Sequence, residues 1–432
     1  MRDLEATLAA LAERRPKLID LGLSRVERTL DKLGRPHDAL PPVFHVAGTN
    51  GKGSTVAFLR AILEASGART HVYTSPHLVR FNERIVLAGD EVRDETLIDL
   101  LQRVDAAAGD DPLSFFETAT CAAFLGFAET PADYVVVETG LGGRLDATNV
   151  LARPAACAIT PVALDHQGYL GETLGEIAGE KAGIVKPGSP VAVGPQTPEA
   201  MAVLADRAAA VGAPARLYGV DWTARFEHGR FVYQDDRGLS DLTPPRLSGA
   251  HQAMNAGLAI AALRAAGVNF DDAVLSAGLA RARWPARLQR LVAGPFVEAM
   301  AQAAAAGSEL WLDGGHNPHA ARAVAATLSE FQDKAPAKLV LIAGLQNAKD
   351  ARNFFAAFDG IAASVFAVRS ANPNASSADD VAAAAEAAGL PAHPCASVDE
   401  ALALALGSGG ERLRVLICGS LYLAGELLAE HR

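Results

Sequence analysis

Cysteine is scarce in this chain, with four residues at positions 121, 157, 395 and 418. They are too scattered for a disulfide framework, and no CxxC pair exists to suggest a thiolate zinc site. Cys121, Cys157 and Cys418 sit in apolar stretches and read as small core residues. Long hydrophobic runs are missing as well. The most apolar segment, Ala119 to Ala128, is too short to span a bilayer. Acids at Asp3 and Glu5 stand where a signal peptide would carry its apolar run. Positive charge is in deficit: 39 Lys and Arg face 50 Asp and Glu, a formal net charge of −11. That balance argues against a grip on duplex nucleic acid or on an anionic membrane. Small anions stay possible, because a local pocket can be positive inside a negative protein. Repeats and low-complexity tracts are absent beyond an alanine bias. The expectation is a cytoplasmic monomer with small-molecule partners, no nucleic acid and no membrane.

What is present is an ordinary globular balance over 432 residues, half of them hydrophobic, enough for two or three domains. Leu4, Leu8 and Leu11 share a helical face. Val43 to Ala47 reads as a strand, followed by a Gly-rich loop and a helix. Strands also fit Thr70 to Thr74, Tyr134 to Val137 and Ala156 to Thr160, with helices at Ala119 to Glu129 and Thr173 to Ala182. Strands alternating with helices predict a doubly wound, mostly parallel sheet. Tyr218 to Ser240 alternates with period two, which predicts a small antiparallel β subdomain. After Trp284-Pro285 a second alternating series begins, with strands at Leu310 to Leu312, Leu339 to Ala343, Ser364 to Val368 and Val415 to Cys418. The expected fold is α/β with two domains. Residues 1–284 form the P-loop domain, and residues 285–432 form a smaller Rossmann-like α/β domain.

Chemistry concentrates at strand ends. Gly48-Thr49-Asn50-Gly51-Lys52-Gly53-Ser54 lies between a strand and a helix. Its glycines let backbone N–H groups face an anion, the helix N-terminus adds positive potential, and Lys52 adds a full charge. The spacing departs from the standard Walker A pattern, because Gly53 separates Lys52 from Ser54. Glu138 closes the strand Tyr134 to Val137, the place where a carboxylate holds magnesium beside a P-loop. Gly140-Leu141-Gly142-Gly143 imitates a dinucleotide fingerprint, but its third glycine position is Leu145. Asp165-His166 follows a strand, where imidazole can ligate a metal; on spacing alone it reads as a surface loop. Lys181 reads, on local physics, as a cation near a helix C-terminus. Asp313-Gly314-Gly315-His316-Asn317-Pro318 repeats the strand–loop–helix pattern, with Asp313 able to face a ribose and Asn317-Pro318 able to start a helix.

Taken in order, these motifs resemble those of bacterial folylpolyglutamate synthase/dihydrofolate synthase, within the Mur ligase superfamily. The resemblance also rests on Thr74-Ser75-Pro76-His77-Leu78, Ser114-Phe115-Phe116-Glu117, Gly140 through Asn149, Leu170-Gly171, Glu180-Lys181-Ala182-Gly183-Ile184, Trp284 through Leu288 and Gly419 through Gly425. It spans nearly the whole chain.

The resemblance implies an ATP-dependent amide ligase. A pterin-linked carboxylate attacks the γ-phosphate of ATP, and the acyl phosphate is then attacked by the amino group of L-glutamate. Dihydropteroate and reduced folates would be the acceptors, so both activities are expected; one activity alone, a Mur-type cell-wall ligase or a P-loop ATPase switch are the alternatives. By the same resemblance Gly51, Lys52, Gly53 and Ser54 hold the ATP phosphates, and Asn255, Arg287 and Asp313 contact ATP. Ser75, Glu138 and His166 would ligate Mg²⁺, with two ions plausible. Lys181 matches a lysine the family carbamylates, and Lys52, Lys181 and His166 form the catalytic set. Ser114, Phe115, Phe116, Glu117, Leu145, Asp146 and Ala147 would hold the pterin portion, and His316 and Ser420 would lie near the glutamate. Ala286 stands where the family often has glycine, Gly315 where it often has alanine, and Thr139 where valine is common. The 346–350 loop departs from the family pattern and receives no role.

Overall fold

The structure is a computed structural model that describes residues 3–14, 21–346, 351–407 and 410–430. Residues 347–350, most of the loop left without a role, lie outside the described residues. The chain divides into two compact units. One holds residues 1–246 and 252–283, the other residues 247–251 and 284–432.

The first unit is built on eight strands: β1 (Val43–Ala47), β2 (Thr70–Tyr73), β3 (Ile85–Leu87), β4 (Asp90–Glu91), β5 (Tyr134–Glu138), β6 (Ala156–Ile159), β7 (Val191–Val193) and β8 (Ala215–Leu217). Their order across the sheet is 4-3-2-5-1-6-7-8. All pairings are parallel except those of β3 with β2 and β4. Strands β1, β2 and β6 are buried along their whole length and are mostly apolar, as expected of parallel strands covered on both faces. Val135, Val136 and Val137 are fully buried.

The connection from β1 runs to β2 on one side, and the connection from β6 runs to β7 on the other. The sheet therefore reverses its winding between β1 and β6, which is where open α/β sheets leave a crevice at their carboxyl ends. In register, Val46 pairs with Glu138 on one side and with Ala158 on the other. The loop after Ala47 thus leaves the sheet beside Glu138.

Three further strands, β9 (Trp222–Glu227), β10 (Arg230–Asp235) and β11 (Gly238–Leu242), form a separate antiparallel sheet. The period-two stretch expected from Tyr218 to Ser240 is this meander.

The second unit contains β12 (Gln289–Leu291), β13 (Glu309–Leu312), β14 (Lys338–Ala343), β15 (Ala362–Ala367), β16 (Ala392–Pro394) and β17 (Leu413–Cys418), in the order 12-13-17-14-15-16. Only β12 is antiparallel to its neighbour. Its core packs Leu339, Leu341, Leu416 and Cys418 against Leu328, Phe354, Phe355 and Phe358. Among the described residues no helix is long and apolar enough to cross a membrane.

Candidate active site

The loop after β1 has the backbone of an anion cradle. Gly48 has φ +148° and Gly51 has φ +92°, conformations that side-chain-bearing residues rarely adopt. There is also no room for a side chain. A Cβ at Gly48 would sit 1.8 Å from Thr160 Oγ1, and one at Gly51 would sit 2.4 Å from Asn255 Oδ1. Gly51 is the N-cap of the Lys52–Ala65 helix, which has no side-chain cap and no acid in its first turn. Its first N–H groups therefore face the loop with no first-turn acid of their own helix beside them, and the helix dipole adds to them. The Lys52 ammonium folds over this loop, donating to Gly48 O and Thr49 O at 3.2 Å each. Ser54 is buried in the same turn, and Asn255 is held by Gln252, its Nδ2 donating to Gln252 Oε1 at 3.0 Å. Glycine cradle, uncapped helix and lysine together fit a phosphate group.

Lys181 belongs to this loop. It is only 3% exposed, and its Nζ donates to Gly48 O at 2.9 Å. Lys181 does stand in the last turn of the Leu174–Ala182 helix, as read from local position, but on the face that buries Ile177, Ala178 and Ala182, so it is not a surface cation. Burial, reinforced by the charge of Lys52, pushes its pKa down to about 7.

Glu138 is 4% exposed at the end of β5, and the Ser75 N–H donates to its Oε2 at 3.4 Å. The Ser75 backbone is thus a neighbour of the Glu138 carboxylate, and a carboxylate is the kind of oxygen ligand a hard divalent cation takes together with phosphate and water. His166 is placed differently. Its side chain is 52% exposed, with Nε2 3.8 Å from Asp165 Oδ1. Among the described residues no three His, Cys, Asp or Glu side chains converge on one point.

The Phe115–Glu129 helix opens with a capping box. Ser114 Oγ accepts from Glu117 N at 3.2 Å, and Ser114 N donates to Glu117 Oε2 at 2.6 Å. Arg25 reaches the other carboxylate oxygen, its Nη2 donating at 3.0 Å. Phe115 meets the ring of Phe81 edge-on at 5.2 Å, and Phe116 lies 6.0 Å from Tyr73. Phe116 also lies over Gly140, where a Cβ would fall 2.4 Å from its ring. Phe115, Phe116 and Leu145 are half-buried, while Asp146 and Ala147 are buried. The Asp146 carboxylate organises its own loop, accepting from the N–H groups of Gly140, Leu141 and Thr148 and from the Thr148 hydroxyl. Arg25 was not singled out from the sequence, and Thr148 stood there only as a member of the Gly140–Asn149 motif, without a role. Arg25 lies 92 residues from Glu117, so no local spacing announces the pair.

In the second unit, Asp313 follows β13 and is buried. Its carboxylate accepts from Leu288 N and Gly315 N, both at 2.7 Å. Arg287 lies between Ala286 and Leu288, which have φ +55° and +40°. Asn317 caps the Pro318–Lys334 helix through Ala320 N, with Pro318 at the first position, as the sequence predicts. His316 Nδ1 donates to Gly314 O at 3.3 Å. Ser420 follows β17, the parallel neighbour of β13, and its hydroxyl accepts from Tyr422 N and Leu423 N. A Cβ at Gly315 would approach Asp313 Oδ1 to 2.7 Å, so the Asp313 carboxylate lies tight against this backbone.

Residues 46–263 match the Mur ligase middle domain, and residues 298–421 match the Mur ligase glutamate ligase domain. The chain is 38% identical over 318 residues to the dihydrofolate synthase/folylpolyglutamate synthase of Escherichia coli K12, covering 74% of this chain and 71% of that protein. The structure of E. coli FolC in complex with DHPP and ADP superposes with a TM-score of 0.87 at 31% identity, covering 99% of this chain and 97% of that one. The bifunctional folylpolyglutamate synthase/dihydrofolate synthase of Yersinia pestis, complexed with AMPPNP and a manganese ion, also gives 0.87 at 31% identity, with 99% and 98% covered. The chain belongs to the dihydrofolate synthase/folylpolyglutamate synthase family of Mur ligases.

Proposed function

We propose that the protein is an ATP-dependent amide ligase that adds L-glutamate to dihydropteroate and to reduced folates, working as a cytoplasmic monomer without nucleic-acid or membrane partners. The observation that carries this reading is the convergence of two lysines, Lys52 and the buried Lys181, on the Gly48 carbonyl of a phosphate cradle beside Glu138. A P-loop switch that only hydrolyses ATP has no use for a second, buried lysine.

Ligation has to bring a carboxylate against a triphosphate, so charge neutralisation comes first. Lys52 and the first-turn N–H groups of its helix are assigned to the phosphates, with Asn255, Arg287 and Asp313 assigned to the nucleotide. The acceptor carboxylate attacks the γ-phosphorus, the bond to the β-phosphate oxygen breaks, and ADP leaves. The glutamate amine then attacks the acyl carbon, sheds a proton and expels phosphate. Ser75, Glu138 and His166 are assigned to divalent cation, which supplies charge neutralisation of the phosphates when bound. A neutral Lys181 amine is nucleophilic enough to take up CO₂: the N–C bond forms as one C–O π bond opens, one proton leaves, and an anionic carbamate replaces the neutral amine. The folate acceptor is assigned to Ser114 through Glu117 and to Leu145 through Ala147, and glutamate to His316 and Ser420.

The test is product mass. Purified protein receives Mg²⁺, ATP and glutamate, with dihydropteroate in one reaction and tetrahydrofolate in another. One added glutamate in both is the expected result. A gain in only one reduces the enzyme to that activity. No gain in either, with ATP still hydrolysed, overturns the folate reading in favour of a cell-wall ligase or a switch.

A further inference from the structure

We propose that His45 is a positioning residue for the folate acceptor, acting through Thr148 on Asp146; this rests on the assignment of the 145–147 segment to that substrate. His45 lies in β1, paired with Val137 on one side and Cys157 on the other, and is fully buried. The neighbouring strand residues, Val43, Phe44, Val46 and Ala47, are all apolar. An imidazole among them needs a polar reason to be there.

The reason is a directed chain of hydrogen bonds. Thr148 Oγ1 is 2.5 Å from Asp146 Oδ1, and His45 Nε2 is 2.8 Å from Thr148 Oγ1. A carboxylate only accepts, so the threonine proton points at Asp146. The threonine lone pair is then left for His45, which must carry its proton on Nε2. His45 Nδ1 is correspondingly bare, and it is buried with no partner among the described residues. Burial keeps the ring neutral by lowering its pKa to about 3. The histidine is therefore a fixed N–H donor to Thr148, and through that hydroxyl the chain ends on Asp146.

That carboxylate also gathers the N–H groups of Gly140, Leu141 and Thr148, so its position sets the course of the whole 140–148 segment. The strand that carries His45 ends at Ala47, and the phosphate loop starts one residue later. His45 thus ties the segment assigned to the acceptor to the strand that delivers the nucleotide loop.

The test uses the full-length enzyme and steady-state kinetics with each substrate varied in turn. His45→Phe keeps the ring volume and removes the donor. His45→Gln restores an N–H near the Nε2 position. Thr148→Val breaks the chain one link further on. His45→Phe and Thr148→Val should each raise KM for the folate acceptor about tenfold, the worth of one buried hydrogen bond. KM for ATP should stay within about twofold in both. His45→Gln should return the folate KM most of the way to wild type, and the His45→Phe/Thr148→Val double variant should be no worse than either single one. Additive effects in the double variant, or an equal rise in KM for ATP, would mean a general structural role and overturn the proposal. Asp146→Asn separates the two layers of inference. If it leaves the folate KM unchanged, the assignment of the segment to the acceptor fails. If it raises that KM while His45→Phe and Thr148→Val do not, the segment stands and the role of His45 is refuted. Should His45→Phe fail to fold, His45→Gln and Thr148→Val carry the same comparison.

Discussion

Lys181 and Lys52 share one acceptor: both side chains donate to the carbonyl oxygen of Gly48, at 2.9 and 3.2 Å. Burial makes charging Lys181 costly, and repulsion from the second ammonium on the same oxygen adds to that cost. Its pKa falls from the ordinary 10.5 to about 7. Two pH-dependent outcomes follow from that sign. Below about pH 7 the side chain is an ammonium with no lone pair; above it, a free amine can take up CO₂. Carbamate formation should therefore increase from pH 6 to pH 8, read as a carbamate carbon signal in ¹³C NMR with labelled bicarbonate and absent from Lys181→Arg. A fully active wild type with no carbamate at any pH would sink the assignment.

The same shift, with the amine unmodified, couples pH to stability. Between pH 7 and 10.5 the unfolded chain holds a proton at Lys181 that the folded chain has released. Stability gains from this residue as pH rises through that window, and its full penalty is present below pH 7. In CO₂-free buffer, Tm measured at pH 7 and pH 9 should rise less in Lys181→Met than in wild type. Identical pH dependence in the two proteins would contradict the buried, depressed lysine.

Lys52 has the more exposed seat on the same loop, and the proposed chemistry uses it as a point charge on phosphate. Lys52→Ala should reduce ligation by at least about 100-fold, the scale of removing one preorganised electrostatic group from a reacting centre. The helix it starts keeps its backbone caps and its buried face, so far-UV circular dichroism and Tm should change little. Near-normal turnover would refute the phosphate role.

Glu138 is nearly buried beside Ser75 N, which donates to it from 3.4 Å. Glu138→Gln keeps the shape and an acceptor oxygen but removes the negative charge that would hold a hard cation. The magnesium concentration for half-maximal activity should rise at least about tenfold, with Tm within a few degrees of wild type. An unchanged magnesium titration would remove Glu138 from the metal site.

The sheet and the cradle were legible in the sequence for a shared reason. Buried parallel strands demand unbroken apolar runs such as Val135–Val137, and a loop that a Cβ would fill demands glycine, so both constraints are written as residue type. Local position near a helix end shows Lys181 only as a cation, and its place in the catalytic set came from the resemblance; its burial is written in periodicity, because it is four residues after the core residue Ile177 and lies on the same stripe. Arg25 on Glu117 and His45 on Thr148 carried no comparable signal. Their partners are 92 and 103 residues away, and only the folded sheet and helices bring them together.

Ala286 offers a test of the second unit that is independent of catalysis. It has φ +55° and no exposure. An L-residue in the left-handed region costs roughly 1 kcal/mol that glycine does not pay. Against this, Ala286→Gly gives up one buried methyl and adds freedom to the unfolded chain, together of similar size. The two sides nearly cancel, so Ala286→Gly should leave stability within about 1 kcal/mol of wild type in chemical denaturation. Ala122, fully buried in the middle of the Phe115–Glu129 helix, provides the contrast. There no strain is relieved, so Ala122→Gly should cost at least about 1 kcal/mol through helix propensity alone, before the lost methyl contact is counted. Equal losses at the two positions would show that the turn at Ala286 carries no backbone strain.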